Sequence, residues 1–390
     1  MLNVSSGFIS TAARTNAPWK RKLIIGGSDY SDSVTQWPKI SRTWNAINPT
    51  TVTIDLSNAA QTFNFFLADP SKLHTSCSLQ MGFDYAASSS EYLTLFAGGV
   101  DALRYADGGC QLTIIDKFRK LSDRLIGSTT TPTNYTSSGY LVHDMAWYVC
   151  TSMGGLDATA NSSNPDIDYQ SWASWSSVFS ADNIRVKASY TGQKAIEALQ
   201  KLAALTRSAI WVENNKIKFA RFTISDSAQT LLTADQIESI DTTLDDRSLV
   251  NRFYVGAAYD VNSRTFGITV SAQSSDSQSR YGLREDSSME TVMWLVDSVS
   301  ALGLAQRAVL TGGELNGQFV VRTPLQSIAS TIGDVISLTD AHLQVDDLYR
   351  QLSETIDMDT GTKETTMDQT QFFNAFKLDV SALDSSDVLV

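Results

Sequence analysis

From Thr51 to Ser57 the side chains alternate. Val52, Ile54 and Leu56 point one way, and Thr51, Thr53, Asp55 and Ser57 the other. A period of two with one dry and one wet face is the signature of a half-buried strand. The same pattern returns near the other end of the chain, where Gly333-Asp334 turns into Val335-Ile336-Ser337-Leu338-Thr339 and runs on to Asp340. Further strands are predicted at 22–25, 37–42, 78–83 (Leu79, Met81 and Phe83 on one face) and 93–98. Two more, 104–106 and 110–114, flank the hairpin turn Asp107-Gly108-Gly109, since Asp-Gly accepts the positive φ of a tight turn. So many short strands over 19–127 predict a closed or nearly closed antiparallel barrel or sandwich.

Beyond Gly127 the texture changes. The Ser, Thr, Pro and Gly run of 128–139 reads as a linker. Leu141, Met145, Tyr148 and Val149 then follow helical spacing up to a stop at Gly154-Gly155. A second helix is predicted over 192–206, with Ile196, Leu199, Leu202, Ala203 and Leu205 on one stripe. It leads into a hairpin, 209–213 and 216–222, around Asn214-Asn215. Residues 226–250 read as an acidic loop, with strands at 251–255 and 267–270. A helix is expected over 292–310, where Gly303 costs about 1 kcal/mol against Ala. A strand at 318–322, the strand after Gly333 and a hairpin around Asp359-Thr360-Gly361 complete the chain. The fold class is therefore α+β, β-rich and multi-domain. The expected parts are an N-terminal arm at 1–18, a first β domain at 19–127, an α+β insert at 128–225, a second β domain at 226–372 with an extra helix at about 290–312, and a C-terminal tail at 373–390.

Composition narrows the function. A chain of 390 residues that is 42% hydrophobic and 18% charged can build several cores, but must cover them largely with Ser, Thr, Asn and Gln. A net charge of −12 argues against a phosphate-tracking groove. The first 60 residues are basic and the last 50 acidic, which would help neighbouring subunits orient; ordinary loop variation explains it equally well. Cys77, Cys110 and Cys150 are odd in number and widely spaced, so neither a disulfide framework nor a zinc site is expected. The start carries no basic stretch followed by an apolar run, and no window approaches a bilayer span. The chain is expected to be made in a cytoplasm and to insert in no membrane.

At Gly154-Gly155-Leu156-Asp157-Ala158 and Asn164-Pro165-Asp166-Ile167-Asp168 the chain resembles the tail hub proteins at the tip of long-tailed bacteriophages. Matching stretches are Trp37-Pro38-Lys39-Ile40-Ser41-Arg42, Leu95-Phe96-Ala97-Gly98, Asp116-Lys117-Phe118-Arg119-Lys120-Leu121, Ser279-Arg280-Tyr281-Gly282-Leu283-Arg284 and the run from Ile332 to Asp340. None contains chemistry; their order carries the resemblance. It implies two tube-like β domains per subunit, so that a homotrimer imitates a sixfold tail-tube ring. It also implies a tube or distal tail protein ring above, a spike, fibre or tape-measure end below, and DNA only in transit through the channel. The expected location is the virion, at the tail tip or baseplate. Few residues follow Gln369, so a spike or lytic activity is expected on a separate polypeptide.

No catalytic signature competes. His143 and Cys150 lie i and i+7 on one predicted helix, about 10.5 Å apart along it, too far for a direct hydrogen bond. Cys150 is expected in the core, and His143 with Asp144 at the surface near a helix start. His74 and His342 sit in loop-like contexts. Asp157, Asn161, Asn164, Asp166 and Asp168 form an oxygen-rich loop that suits Ca²⁺ in principle but lacks the EF-hand spacing, so Asx turns are preferred. Trp172 and Trp175 suit either a sugar platform, the basis of an alternative receptor- or carbohydrate-binding reading, or one buried helix face; packing is preferred. The pairs Asp245-Asp246 and Asp346-Asp347 read as solvated acids. HExxH, GxSxG, GxGxxG and P-loop motifs are absent. No catalytic, metal or cofactor residue and no enzymatic activity is expected.

Overall fold

A computed structural model describes residues 4–12, 18–44, 46–86, 89–106, 108–128, 130, 133–206, 208–221, 228, 230–233, 236–245, 249–260, 262–287, 294–313, 316–325, 328–340 and 345–369. Helix α1 (Ser6–Ala12) precedes β1 (Lys20–Ile25), β2 (Ser28–Asp29), β3 (Val34–Gln36), β4 (Lys39–Thr43), β5 (Thr51–Ser57), α2 (Phe65–Ala68), β6 (Ser76–Ala86), β7 (Ser89–Ala106) and β8 (Gly109–Ile115). Seven of these strands form one sheet in the order β2-β1-β6-β7-β8-β5-β3. Laid flat, its edges would stand about 29 Å apart at roughly 4.8 Å per strand. Yet Asp29 and Val34, on opposite edges, are joined by a connection reaching at most about 18 Å. The sheet must curl until its edges approach, which yields the nearly closed barrel read from the sequence. Val52, Ile54, Leu56, Leu79, Met81, Leu112 and Ile114 fill its interior.

The chain then runs through α3 (Phe118–Ser122), β9 (Leu125–Gly127), β10 (Thr133–Leu141), α4 (Val142–Tyr148), a π-helical turn (Val149–Met153), α5 (Tyr169–Asp182), β11 (Arg185–Lys194), α6 (Ala195–Thr206), β12 (Ala209–Glu213) and β13 (Lys216–Ala220). Next come β14 (Thr230–Thr233) and β15 (Ser239–Asp245), then β16 (Arg252–Asp260), β17 (Thr265–Gln273), α7 (Ser275–Tyr281), β18 (Glu285–Ser287) and α8 (Ser298–Gly312). Last are β19 (Asn316–Pro324), β20 (Val335–Asp340), β21 (Val345–Asp357) and β22 (Thr362–Gln369). The second large sheet has the order β14-β20-β21-β22-β19-β15, and β4 from the first module pairs with β21.

The two sheets repeat one plan: a three-strand meander, flanked on one side by an early strand and on the other by the strand that precedes the meander. The repeat extends to register. Thr51 to Ser57 pair with Ile115 to Gly109 in one module, and Gln318 to Pro324 with Asp368 to Thr362 in the other. The middle strand of each meander carries a bulge at the same place, between Val100 and Ala102 and between Gln351 and Ser353. One difference stands out: β1 runs antiparallel to β6, whereas β14 runs parallel to β20.

Several expectations change. The arm at 1–18 contains α1, which buries Phe8 against Trp19 and Phe83 at ring separations of 5.8 and 5.1 Å; long-range packing supplies the order its polar sequence lacks. The linker at 128–139 includes the start of β10, held by β11, and the helix expected from 192 begins at Ala195 because β11 runs to Lys194. The acidic loop at 226–250 holds β14 and β15. The helix expected over 292–310 starts after Asp297, whose carboxylate accepts from Ser300 N, and ends at Gly312. Residues of 249–313, expected within the second β domain, instead join the middle core. Phe253, Val255, Leu295, Leu304 and Ala305 pack with Val142, Trp175, Leu199 and Phe219, since an apolar stripe does not specify which core receives it. The middle domain therefore enters the chain twice, before β14 and between β15 and β19. Residues 373–390, His342, Asp107 and Asp246 lie outside the described residues.

Candidate functional site

Strand β4 leaves the first module and adds to the second sheet, Lys39 to Thr43 opposite Asp357 to Ser353. This main-chain join brings a set of buried charges together where both modules meet the middle domain. Arg42 contacts Glu354, and Glu354 lies 2.9 Å from Lys363, both fully buried. The Lys363 ammonium also donates to Ser330 O at 2.6 Å and Ser330 Oγ at 2.7 Å, and Gln351 Nε2 donates to Glu354 at 2.8 Å. From β12, Glu213 accepts from Lys218 of β13 and from Thr331 Oγ1, the latter at 2.5 Å. Burial alone would raise both glutamates, but Arg42 with Lys363, and Lys218 with Arg42, hold them below the usual carboxylate range. Burial pulls Lys363 below the usual lysine range. Charges this deep stay ionised only while every partner is present, so the cluster fixes how β4 and the β12–β13 hairpin seat on the second sheet.

Three of the resembling stretches line one cavity here, and a fourth packs beside it. Arg42, Leu95 to Ala97, Asp116, Phe118 and the hairpin turn Asn214-Asn215 line one small cavity of about 110 Å³. Ile332 packs with Trp211 and Ala209, and Trp44 lies against them. Asp116 is buried and accepts from Phe118 N at 3.0 Å; burial pushes its carboxyl up to about 7. Gly98 is required by space, because a Cβ there would strike the Ile115 carbonyl.

The oxygen-rich loop is spent on protein donors. Asp166 accepts from Lys117 at 2.8 Å, Lys120 at 3.1 Å and Asp157 N at 2.9 Å. The buried Asn164 donates to Asp157 O and Thr159 O and accepts from Asp166 N and Ile167 N. Asp168 caps α5, Asp157 accepts from Thr159 N and Asn161 from Ser163 N, so the Asx turns preferred from the sequence are present. Among the described residues no group of three or more His, Cys, Asp or Glu is placed to hold a metal ion.

Trp172 and Trp175 are buried with Trp147, Phe179 and Phe219, and the Trp175 indole donates to Ser208 Oγ at 2.7 Å. They form no exposed platform, which removes the basis of the carbohydrate reading. His143, expected at the surface, is mostly buried, and burial lowers its imidazole. Cys77, Cys110 and Cys150 are buried free thiols, and burial pushes Cys150 up to about 12. His74 is exposed, and Asp346 and Asp347 pair in β21 opposite Thr339 and Leu338. Among the described residues no helix is long and apolar enough to cross a membrane.

Sequence reading missed the buried charges. The available signal was Lys363 in register with Thr365 and Met367 on a strand's inward face; its partners are remote in sequence.

No protein-family model matches the chain, and no curated protein does either. Three solved structures resemble it along nearly the whole length. A tail protein from Neisseria meningitidis MC58 has a TM-score of 0.60 at 12% identity, covering 91% of this chain and 98% of that one. The 43 kDa tail protein of prophage MuSo2 from Shewanella oneidensis has 0.56 at 15%, covering 91% and 99%. Prophage tail protein gp18 from Listeria monocytogenes EGD-e has 0.52 at 12%, covering 89% and 94%. The chain has the fold of these tail proteins.

Proposed function

We propose that this chain is a structural hub of a phage-type tail: three copies form a pseudo-sixfold ring that joins the tail tube to a spike, fibre or tape-measure end in the virion. The observation that carries this reading is the internal repeat, two curled sheets of one strand order, matched in register and bulge and tied edge to edge through β4. Two equivalent modules per chain are what a trimer needs to present six similar units. The exposed sheet faces are polar, with Thr51, Thr53, Arg104 and Gln111 in one module, and Gln318, Arg322, Thr339 and Glu364 in the other. The chain acts by assembly and catalyses no reaction.

Native mass measurement tests the reading, on the purified protein alone and mixed with tail tube protein. A trimer that caps tube rings is expected. A species that stays monomeric at every concentration and never joins tube or spike protein would refute it.

A further inference from the structure

The repeat exposes an asymmetry between the modules. In the second module, β21 pairs with β20 as far as Arg350, and its next stretch, Ser353 to Asp357, is completed on that side by β4. In the first module, β7 pairs with β6 as far as Gly99; its next stretch, Ala102 to Ala106, has β8 on one side. Among the described residues no strand pairs with the other side. The distance from last meander pair to hairpin matches in the two modules, Gly99 to Ala106 and Arg350 to Asp357. The vacant edge is thus the counterpart of the one that β4 fills.

Backbone alternation fixes which groups face it. Val100 donates to Thr75 O and accepts from His74 N on the β6 side. Past the bulge at Asp101, Ala106 closes the hairpin with Gly109, so the N–H and C=O of Leu103 and Tyr105 point at the open side. Their counterparts Glu354 and Ile356 stand opposite Arg42 and Ile40 of β4. Ala102 and Arg104 are exposed, and Leu103 and Tyr105 half-buried.

A matching donor lies in the middle-domain segment that is inserted into the second module between β15 and β19. Strand β4 is the excursion between β3 and β5; the corresponding excursion, between β15 and β19, contains β17. In the order β17-β16-β18 it is an edge strand, and every second residue over most of its length is exposed. The segment TFGITVSAQ has no charge and no proline, the usual devices that keep an open edge from pairing.

We propose that the Ala102–Ala106 edge of β7 accepts a strand from a second copy of this chain, and that the neighbour's β17 is that strand. Within a chain, module one reaches module two through β4 on β21. Between chains, the middle-domain strand β17, inserted between β15 and β19 of module two, reaches the next module one at β7. The contact is head-to-tail and closes into a ring of alternating modules. The inference rests on the ring-forming reading above.

Leu103→Pro removes the outward N–H without touching a β8 hydrogen bond; Leu103→Ala removes the side chain and keeps the N–H. Leu103→Pro is expected to raise the trimer dissociation midpoint at least tenfold over Leu103→Ala, with the two unfolding at similar urea concentration. In the wild-type trimer, amide exchange at Leu103, Tyr105 and alternate residues of β17 should slow together relative to dilute monomer. A wild-type trimer that Leu103→Pro leaves intact overturns this interface while the hub reading stands. So does protection of Leu103 and Tyr105 without β17, in dilute monomer, or only when tube protein is added. A wild-type chain that never trimerises sinks both.

Discussion

His74 and Gly333 are structural twins: each sits at positive φ, +77° and +89°, and each donates its N–H to the bulged strand of its module, to Val100 O and Gln351 O. Only one of the two twins is the residue type such a conformation favours. His74→Gly should therefore stabilise the protein by about 0.5–1 kcal/mol, and Gly333→Ala should destabilise it by about 1–2 kcal/mol. Urea midpoints at constant m-value measure both, and a stabilising Gly333→Ala would contradict the equivalence.

Glu354 balances Arg42 and Lys363 in the dry junction. Glu354→Gln leaves two buried cations short of an anion and should cost about 3–5 kcal/mol. The double change Glu354→Leu with Lys363→Met should recover part of that loss, since it removes one of the two cations and leaves Arg42 with Glu213. The native carboxyl lies below its ordinary value of 4.5, so its contribution is present above that value and is lost as pH falls through the native one. Chemical denaturation of single and double variants measures the coupling, and strictly additive losses would exclude it.

Asp116 behaves in the opposite sense. Its native carboxyl titrates at about 7 against an ordinary 3.8, because burial outweighs the hydrogen bonds from Thr50 and Phe118. Its contribution is therefore complete below the ordinary value and disappears as pH rises through about 7. Asp116→Asn should flatten that decline while still accepting from Phe118 N. Urea midpoints of both proteins at about pH 5.5 and about pH 8 supply the test, with parallel pH dependence as the contrary result.

Trp172→Ala should destabilise the middle domain by about 3–5 kcal/mol through loss of its aromatic contacts. Trp175→Phe, losing the indole bond to Ser208 and part of the ring's packing on Phe179 and Phe219, should cost about 2 kcal/mol. Scanning calorimetry reads both. An unshifted unfolding temperature in Trp172→Ala would mean that the ring does not pack as described.

The strands were legible wherever one face is dry and the other wet, because the alternation at Thr51 to Ser57 and after Gly333 reports burial directly. Turns were legible too: Asn214 and Asn215 take the positive φ their types allow, +50° and +60°. Long-range partnership was not. Strand β4 reads like any strand of the first module, yet its hydrogen bonds lie in the second. Glu354 and Lys363 look like ordinary strand polar residues until the remote Arg42 arrives. The allocation of 249–313 to the middle core was hidden for the same reason, since Leu304 and Phe253 show that they are buried but not beside what.

The twofold entry of the middle domain ties its fate to the second module. Its hydrophobic interior is stitched from stretches on both sides of β14 and β15, so neither piece can be excised as a continuous segment while leaving the other whole. A fragment cut at 226 would strand Leu199 and Trp175 without α8. Melting should accordingly be shared by the two bodies, and a protease that opens one will hand it the other.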